Sequence, residues 1–131
     1  MTNKGLSDSN LLKLRRQAVH KHFNDCCFFC GQHKSQTPLE DHHIVKRKAL
    51  LLRYDWRNSI LVCKYVCHNY AETPAGKHKI DLYLTKSGFR EYLQARTGCC
   101  KNWFVKQGIT RKDFLKEVYE DLKAKLNEPV F

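Results

Sequence analysis

The sequence predicts an α+β fold, with a small two-stranded core between an N-terminal helix and a set of C-terminal helices. Three observations carry this expectation. Apolar residues recur at helical spacing near both ends, at Leu11, Leu12, Leu14, Ala18 and Val19 and again at Phe114, Leu115, Val118, Leu122 and Leu126. Short stretches of strand character, Leu39 to Val45 and Ser59 to Val62, lie between them. Two close cysteine pairs, Cys27-x2-Cys30 and Cys63-x3-Cys67, bracket those stretches. At 131 residues the chain has the length of one domain. Residues 1–23 form its basic N-terminal helix, 24–75 its core and 76–131 a helical extension.

The elements follow in order. A helix is expected from Ser7 to Phe23, capped by Ser9 or Asn10, with Lys13, Arg15 and Arg16 on faces away from the apolar stripe. Asn24 and Asp25 end it. The first cysteine pair and Gly31 make a tight turn, and a polar loop leads to Pro38. The first strand follows, then a short helical turn within Lys48 to Arg53, then the second strand. Val66 to Ala71 opens a helix that Pro74-Ala75-Gly76 interrupts. Lys77 to Arg96 is helical, jointed at Ser87-Gly88 and stopped at Thr97-Gly98. Cys99 to Gly108 is expected as a loop carrying Trp103 and Phe104. The last helix starts at Thr110, with Asp113 three residues on as in a capping box, and stops at Pro129.

Lys and Arg number 24 against 13 Asp and Glu, a formal charge of +11. The excess is +4 over residues 1–22, +2 over 23–75 and +5 over 76–131. Charge spread in this way suits a polyanionic partner, above all a nucleic-acid backbone. No apolar run approaches the ~20 residues of a membrane span, and residues 1–10 hold no apolar signal region. The expected location is therefore intracellular and cytoplasmic. In such a chain seven cysteines, an odd number, point to metal ligands before disulfides.

Two thiolates three positions apart, as at Cys27 and Cys30, can bind one metal when the chain turns tightly between them, and with Cys63 and Cys67, four positions apart, as a second pair they would make a tetrahedral structural zinc site. Cys26, Cys99 and Cys100 are left as packing residues. Between the pairs stands Leu39-Glu40-Asp41-His42-His43-Ile44-Val45. Adjacent histidines on an extended segment point to opposite sides, so one can bind a metal while its neighbour faces a substrate. Asn58 lies 15 residues beyond His43, and His68 directly follows Cys67. His68 on its own also reads as a zinc ligand in place of a cysteine.

The order Cys27, Cys30, His42, His43, Asn58, Cys63, Cys67, His68 resembles the HNH endonuclease superfamily, over about Phe23 to Glu72. The resemblance implies a ββα-metal core, a two-stranded hairpin plus helix around one divalent ion, braced by four-cysteine zinc. It implies His43 as general base, Asn58 as holder of the loop that orients it, and His42 and His68 as ligands of a catalytic Mg2+ or Mn2+. Glu72, one helical turn after His68, would be a further ligand. Lys46, Arg47, Lys48, Arg53 and Arg57 surround the pair and would hold phosphates of bound DNA. A closer likeness, through Cys27-x2-Cys30-Gly31, Leu52-Arg53-Tyr54, Arg57-Asn58 and the second pair, is to the phage recombination endonucleases that include lambda NinG (Rap). It implies branched or junction DNA as substrate, in a phage or prokaryotic host cell. The second pair here is spaced by three residues where that family leads one to expect two.

The expected function is a metal-dependent DNA endonuclease. A homodimer stays open, because nicking or cutting both strands depends on oligomeric state. The alternative is a zinc-stabilised nucleic-acid-binding module without catalysis, which leaves the histidine pair and Asn58 without a purpose.

Overall fold

A computed structural model of the chain describes residues 3–46, 51–97 and 102–129. Helix α1 (Asp8–His22) begins where Ser7, in extended backbone, accepts a hydrogen bond from the Asn10 N–H at 3.2 Å. The cap is thus Ser7, not Ser9 or Asn10. This register puts the Asp8 carboxylate in the first turn, where the helix dipole favours it, and frees the Asn10 amide to donate to the Gly5 carbonyl at 2.7 Å. The helix ends as expected: Asn24 and Asp25 both take left-handed backbone, φ 54° and 57°.

Strands β1 (Leu39–His43) and β2 (Ser59–Cys63) form an antiparallel pair, with Leu39 opposite Cys63 and His43 opposite Ser59. Every residue of β2 is buried, while β1 is half-buried. Successive side chains of a strand point to opposite faces, and here each face has its own core. Ile60 and Val62 pack with Cys27, Leu52, Cys67 and Ile80, whereas Leu61 packs with Leu11, Val19, Trp56 and Leu122. β1 stops two residues before Val45, the expected end. The Asn58 side chain accepts from the Val45 N–H at 2.7 Å and donates to the Val45 carbonyl at 2.9 Å, which takes the place of the next rung of the ladder.

Helix α2 (Val66–Ala71) follows β2 directly. The Pro74-Ala75-Gly76 segment does not interrupt a helix; it opens α3 (Pro74–Ser87). Thr73 caps α3 by accepting from the Gly76 N–H at 3.1 Å, and Pro74 sits in the first turn, where its missing N–H costs nothing. A Cβ on Gly76 would lie 2.0 Å from the Tyr70 carbonyl oxygen, so only glycine lets α3 turn this closely against α2. Gly88, at φ 80°, makes the expected joint before α4 (Phe89–Thr97).

The expected loop carrying Trp103 and Phe104 contains a further helix, α5 (Asn102–Gln107). Its cause is tertiary: both rings pack on Phe114, at centroid separations of 5.8 and 5.6 Å. Helix α6 (Arg111–Leu126) starts with the expected capping box. Asp113 N–H donates to Thr110 Oγ1 at 3.1 Å, and Thr110 N–H donates back to the Asp113 carboxylate at 3.2 Å. Lys21 of α1 donates to the Leu126 carbonyl at 2.7 Å and joins the two ends of the chain. Cys99, Cys100 and the first half of the turn expected over Lys48 to Arg53 lie outside the described residues. Among the described residues no helix is long and apolar enough to cross a membrane.

Candidate metal centre and histidine cleft

The two cysteine pairs meet. Cys27 and Cys30 lie in the turn after α1, Cys63 ends β2, and Cys67 lies on α2. Gly31 closes the first turn at φ 77°, and its N–H donates to the Cys27 carbonyl at 3.0 Å. The four sulfurs all lie within 4.8 Å of one another, and Cys30 Sγ is 3.2 Å from Cys63 Sγ. Tetrahedral Zn–S bonds of ~2.3 Å place sulfurs ~3.8 Å apart, so the cluster is of the right size and donor type for zinc.

The electrostatics agree with that fit. Burial raises the Cys27 thiol, but hydrogen bonds from the backbone of Cys30, Cys63 and Phe29 outweigh it and bring the pKa to about 7. Burial and the neighbouring thiols push Cys67 up to about 11 and Cys63 higher still. Four thiols this close cannot all ionise without a cation among them. Cys26 stands apart from the cluster, but it is not the packing residue expected: it is half-buried, belongs to neither core cluster, and donates to the Asn24 carbonyl at 3.3 Å.

Beside this cluster is a cleft of about 360 Å³ whose lining includes Arg16, Glu40, His42, His43, His68 and Glu72. The alternation of β1 sorts its side chains. Glu40 and His42 share the face toward α2. His42 Nε2 lies 3.5 Å from the Glu72 carboxylate, the His42 and His68 rings are 5.3 Å apart, and Glu40 contacts His68 Nδ1. Two imidazoles and two carboxylates thus line the cleft in pairwise contact, donor types that suit a divalent cation, although among the described residues only the four cysteines bring three or more donor atoms within 4.8 Å of one another. Burial lowers the His42 pKa, with Lys46 and Arg15 adding to the effect and Glu72 opposing it. His42 is therefore held neutral at pH 7, the form in which imidazole ligates metal.

Asp41 and His43 take the other face. Asp41 also lines the cleft, but its carboxylate pairs with Arg15 of α1, which also binds the Ser59 hydroxyl. Arg15 is 1% exposed, against the expectation that it lies away from the apolar stripe. Its position was legible: Leu11, Arg15, Ala18 and Val19 share one helical face. His43 Nε2 lies 3.1 Å from the Arg53 carbonyl. A carbonyl can only accept, so this contact assigns the ring proton to Nε2 and makes Nδ1 the basic nitrogen. Asn58 is fully buried and holds the loop that follows His43, through Val45 and, at 3.3 Å, the Leu52 carbonyl.

The basic residues divide. Lys46 lines the cleft, 3.7 Å from Glu72 and largely exposed. Arg53 instead forms a bidentate pair with Asp8 at 2.8 and 3.0 Å, beside a 2.6 Å bond from the Tyr54 hydroxyl to the same carboxylate. That clamp fixes the carbonyl on which His43 rests. Arg57 pairs with Asp121 of α6 at 2.9 and 3.0 Å and lies over the Trp56 and Tyr92 rings. Both guanidinium groups are thus engaged with protein partners. Arg47 and Lys48 lie outside the described residues. Glu40 was missed as a site residue, although its position two residues before His42 puts both on one strand face.

Residues 27–73 match the family model for HNH endonuclease. The matched segment holds both cysteine pairs, the histidine pair, Asn58, His68 and Glu72. The class is therefore a small α+β, HNH-like fold with a four-cysteine cluster. Helices α1 and α3 to α6 lie outside the match. No curated protein and no solved structure gives a significant match to the chain.

Proposed function

We propose that the protein is a metal-dependent endonuclease that hydrolyses DNA phosphodiester bonds at the histidine cleft. The observation that carries this reading is the division of β1. One face presents His42 to His68 and Glu72, while the adjacent His43 is fixed by the Arg53 carbonyl at the same cleft. His42 and His68, with Glu72, would hold Mg2+ or Mn2+, which when bound neutralises charge on the phosphate and the leaving oxygen.

His43 is the general base. With its proton on Nε2, Nδ1 takes a proton from water as the water oxygen attacks phosphorus, and the bond to the leaving oxygen breaks. Asn58 acts through position: it fixes Ile44 and Val45, and so the end of the strand that carries His43. The four cysteines bind structural zinc and hold β2 and α2 in place beneath His68. Lys46 holds a phosphate at the mouth of the cleft. The likeness to phage recombination endonucleases makes branched DNA the preferred substrate.

The test is cleavage of linear, nicked and four-way-junction DNA with Mg2+ or Mn2+, with and without EDTA. His43→Ala is expected to abolish cleavage while DNA binding and zinc content persist. Cutting by His43→Ala at the wild-type rate would refute the assigned base. Salt-dependent binding by the wild type with no cleavage under any divalent ion would establish the binding-module alternative.

A further inference from the structure

Glu40 has no part in the mechanism above, yet its carboxylate contacts a histidine assigned to the metal. Its carboxylate meets His68 Nδ1, bridging β1 to α2 across 28 residues of sequence. We infer that Glu40 is a positioning residue that sets the tautomer and ring orientation of His68 and so completes the metal centre. The inference rests on the reading of the cleft as a metal centre.

A neutral imidazole has one N–H and one lone pair, and what meets the first nitrogen decides which the second presents. An ionised carboxylate only accepts, so Glu40 draws the proton to Nδ1 and leaves the lone pair on Nε2. Metal-ligating histidines commonly donate their other N–H to a carboxylate in this way, and the partner raises ligand basicity and stops ring rotation. His68 needs such a partner more than His42 does. His42 is 12% exposed and held in a strand, whereas the His68 side chain is 42% exposed on the six-residue helix α2. Among the described residues, the His68 ring also approaches His42 edge-on. Glu72 is not the partner of this ring; its carboxylate is placed on His42 and Lys46.

Two readouts test the inference on the zinc-loaded full chain at pH 7.5. The first is the tautomer of His68 by long-range proton–nitrogen NMR without added divalent ion, its signals assigned with His68→Gln. The second is Mn2+ affinity, from the loss of the free-ion EPR signal. Wild type is expected to hold His68 as the Nδ1–H tautomer and to bind one Mn2+ at the cleft. Glu40→Ala is expected to release His68 to the Nε2–H form and to weaken Mn2+ binding by ~10–100-fold. Glu40→Gln keeps an acceptor oxygen, so it should retain the tautomer and lose clearly less affinity. Unchanged circular dichroism and zinc content show that both variants are folded.

An unchanged tautomer and affinity in Glu40→Ala overturn the inference and leave the metal centre standing. Equal losses in Glu40→Gln and Glu40→Ala with an unchanged tautomer also overturn it, because the carboxylate would then be a direct ligand. A doubly protonated His68 ring in the wild type overturns it as a simple ion pair. If the wild type binds no Mn2+, the metal-centre reading itself fails and the inference falls with it.

Discussion

Arg15 is the residue on which the seating of α1 depends. Its guanidinium lies fully buried between helix and hairpin, where it meets Asp41 and Ser59. Such a pair stabilises little compared with apolar packing, but removing one partner strands the other charge away from water. Arg15→Ala is expected to cost about 3–5 kcal/mol, read from urea unfolding. His22 shows the opposite economy of charge. It sits among Phe23, Trp56 and Phe89, with Nε2 3.2 Å from the Tyr83 hydroxyl and with Lys125 and Glu128 nearby. Burial, then Lys125, lowers its pKa, and Glu128 partly offsets this. The unfolded chain therefore takes up the proton first as pH falls. The contribution is complete above the unfolded value of ~6.5 and is lost as pH drops through the folded value. Urea unfolding at pH 7.5 and at pH 5 should show this loss, and His22→Gln should make the pH dependence shallower.

At the scale of elements, the joint between α2 and α3 decides where the helix that carries His68 points. Gly76 lies where a Cβ would press on the Tyr70 carbonyl, so the two helices approach through backbone alone. Gly76→Ala must move that backbone, and overpacking of this kind typically costs ~1–3 kcal/mol. The melting temperature should fall, and cleavage should fall further than the lost folded fraction explains, because His68 and Glu72 lie on the displaced end. The strand pair shows how much an element can reveal beforehand. β2 was legible as Ile60-Leu61-Val62, and alternation was enough to separate His42 from His43. The end of β1 was not legible, since it depends on the Asn58 amide replacing a rung of the ladder. Helix α5 was missed for a similar reason: its aromatic residues gain their partner only from Phe114, beyond the local window.

At the scale of the whole molecule, the cysteine cluster and the apolar core are one structure. Cys27, Cys63 and Cys67 belong to the buried core that contains Leu52, Ile60, Ile80 and Leu93. The proposed zinc would then stabilise the fold and not only a loop, since binding energy at such sites is folding energy. The purified protein is expected to carry one zinc ion per chain by metal analysis. Chelation, or Cys63→Ser, should lower and broaden the thermal transition followed by circular dichroism and abolish DNA cleavage, although the histidine cleft is untouched. A melting curve unchanged by complete zinc removal would contradict this.

The sequence by itself determined the class of fold, the two cysteine pairs, the paired histidines and the basic charge. Those features are local: short spacings, strand alternation and helical periodicity act within a few residues. Tertiary structure decided the rest. It turned Arg15 inward, tied Arg53 to Asp8 and Arg57 to Asp121, moved Asp41 to the α1 side of the hairpin, and brought Glu40 to His68. A charged side chain can reach several partners at similar cost in water, so its sequence neighbours do not specify which it meets. Burial removes that freedom, because a charge taken from water must find its counter-charge in whatever the fold brings within reach.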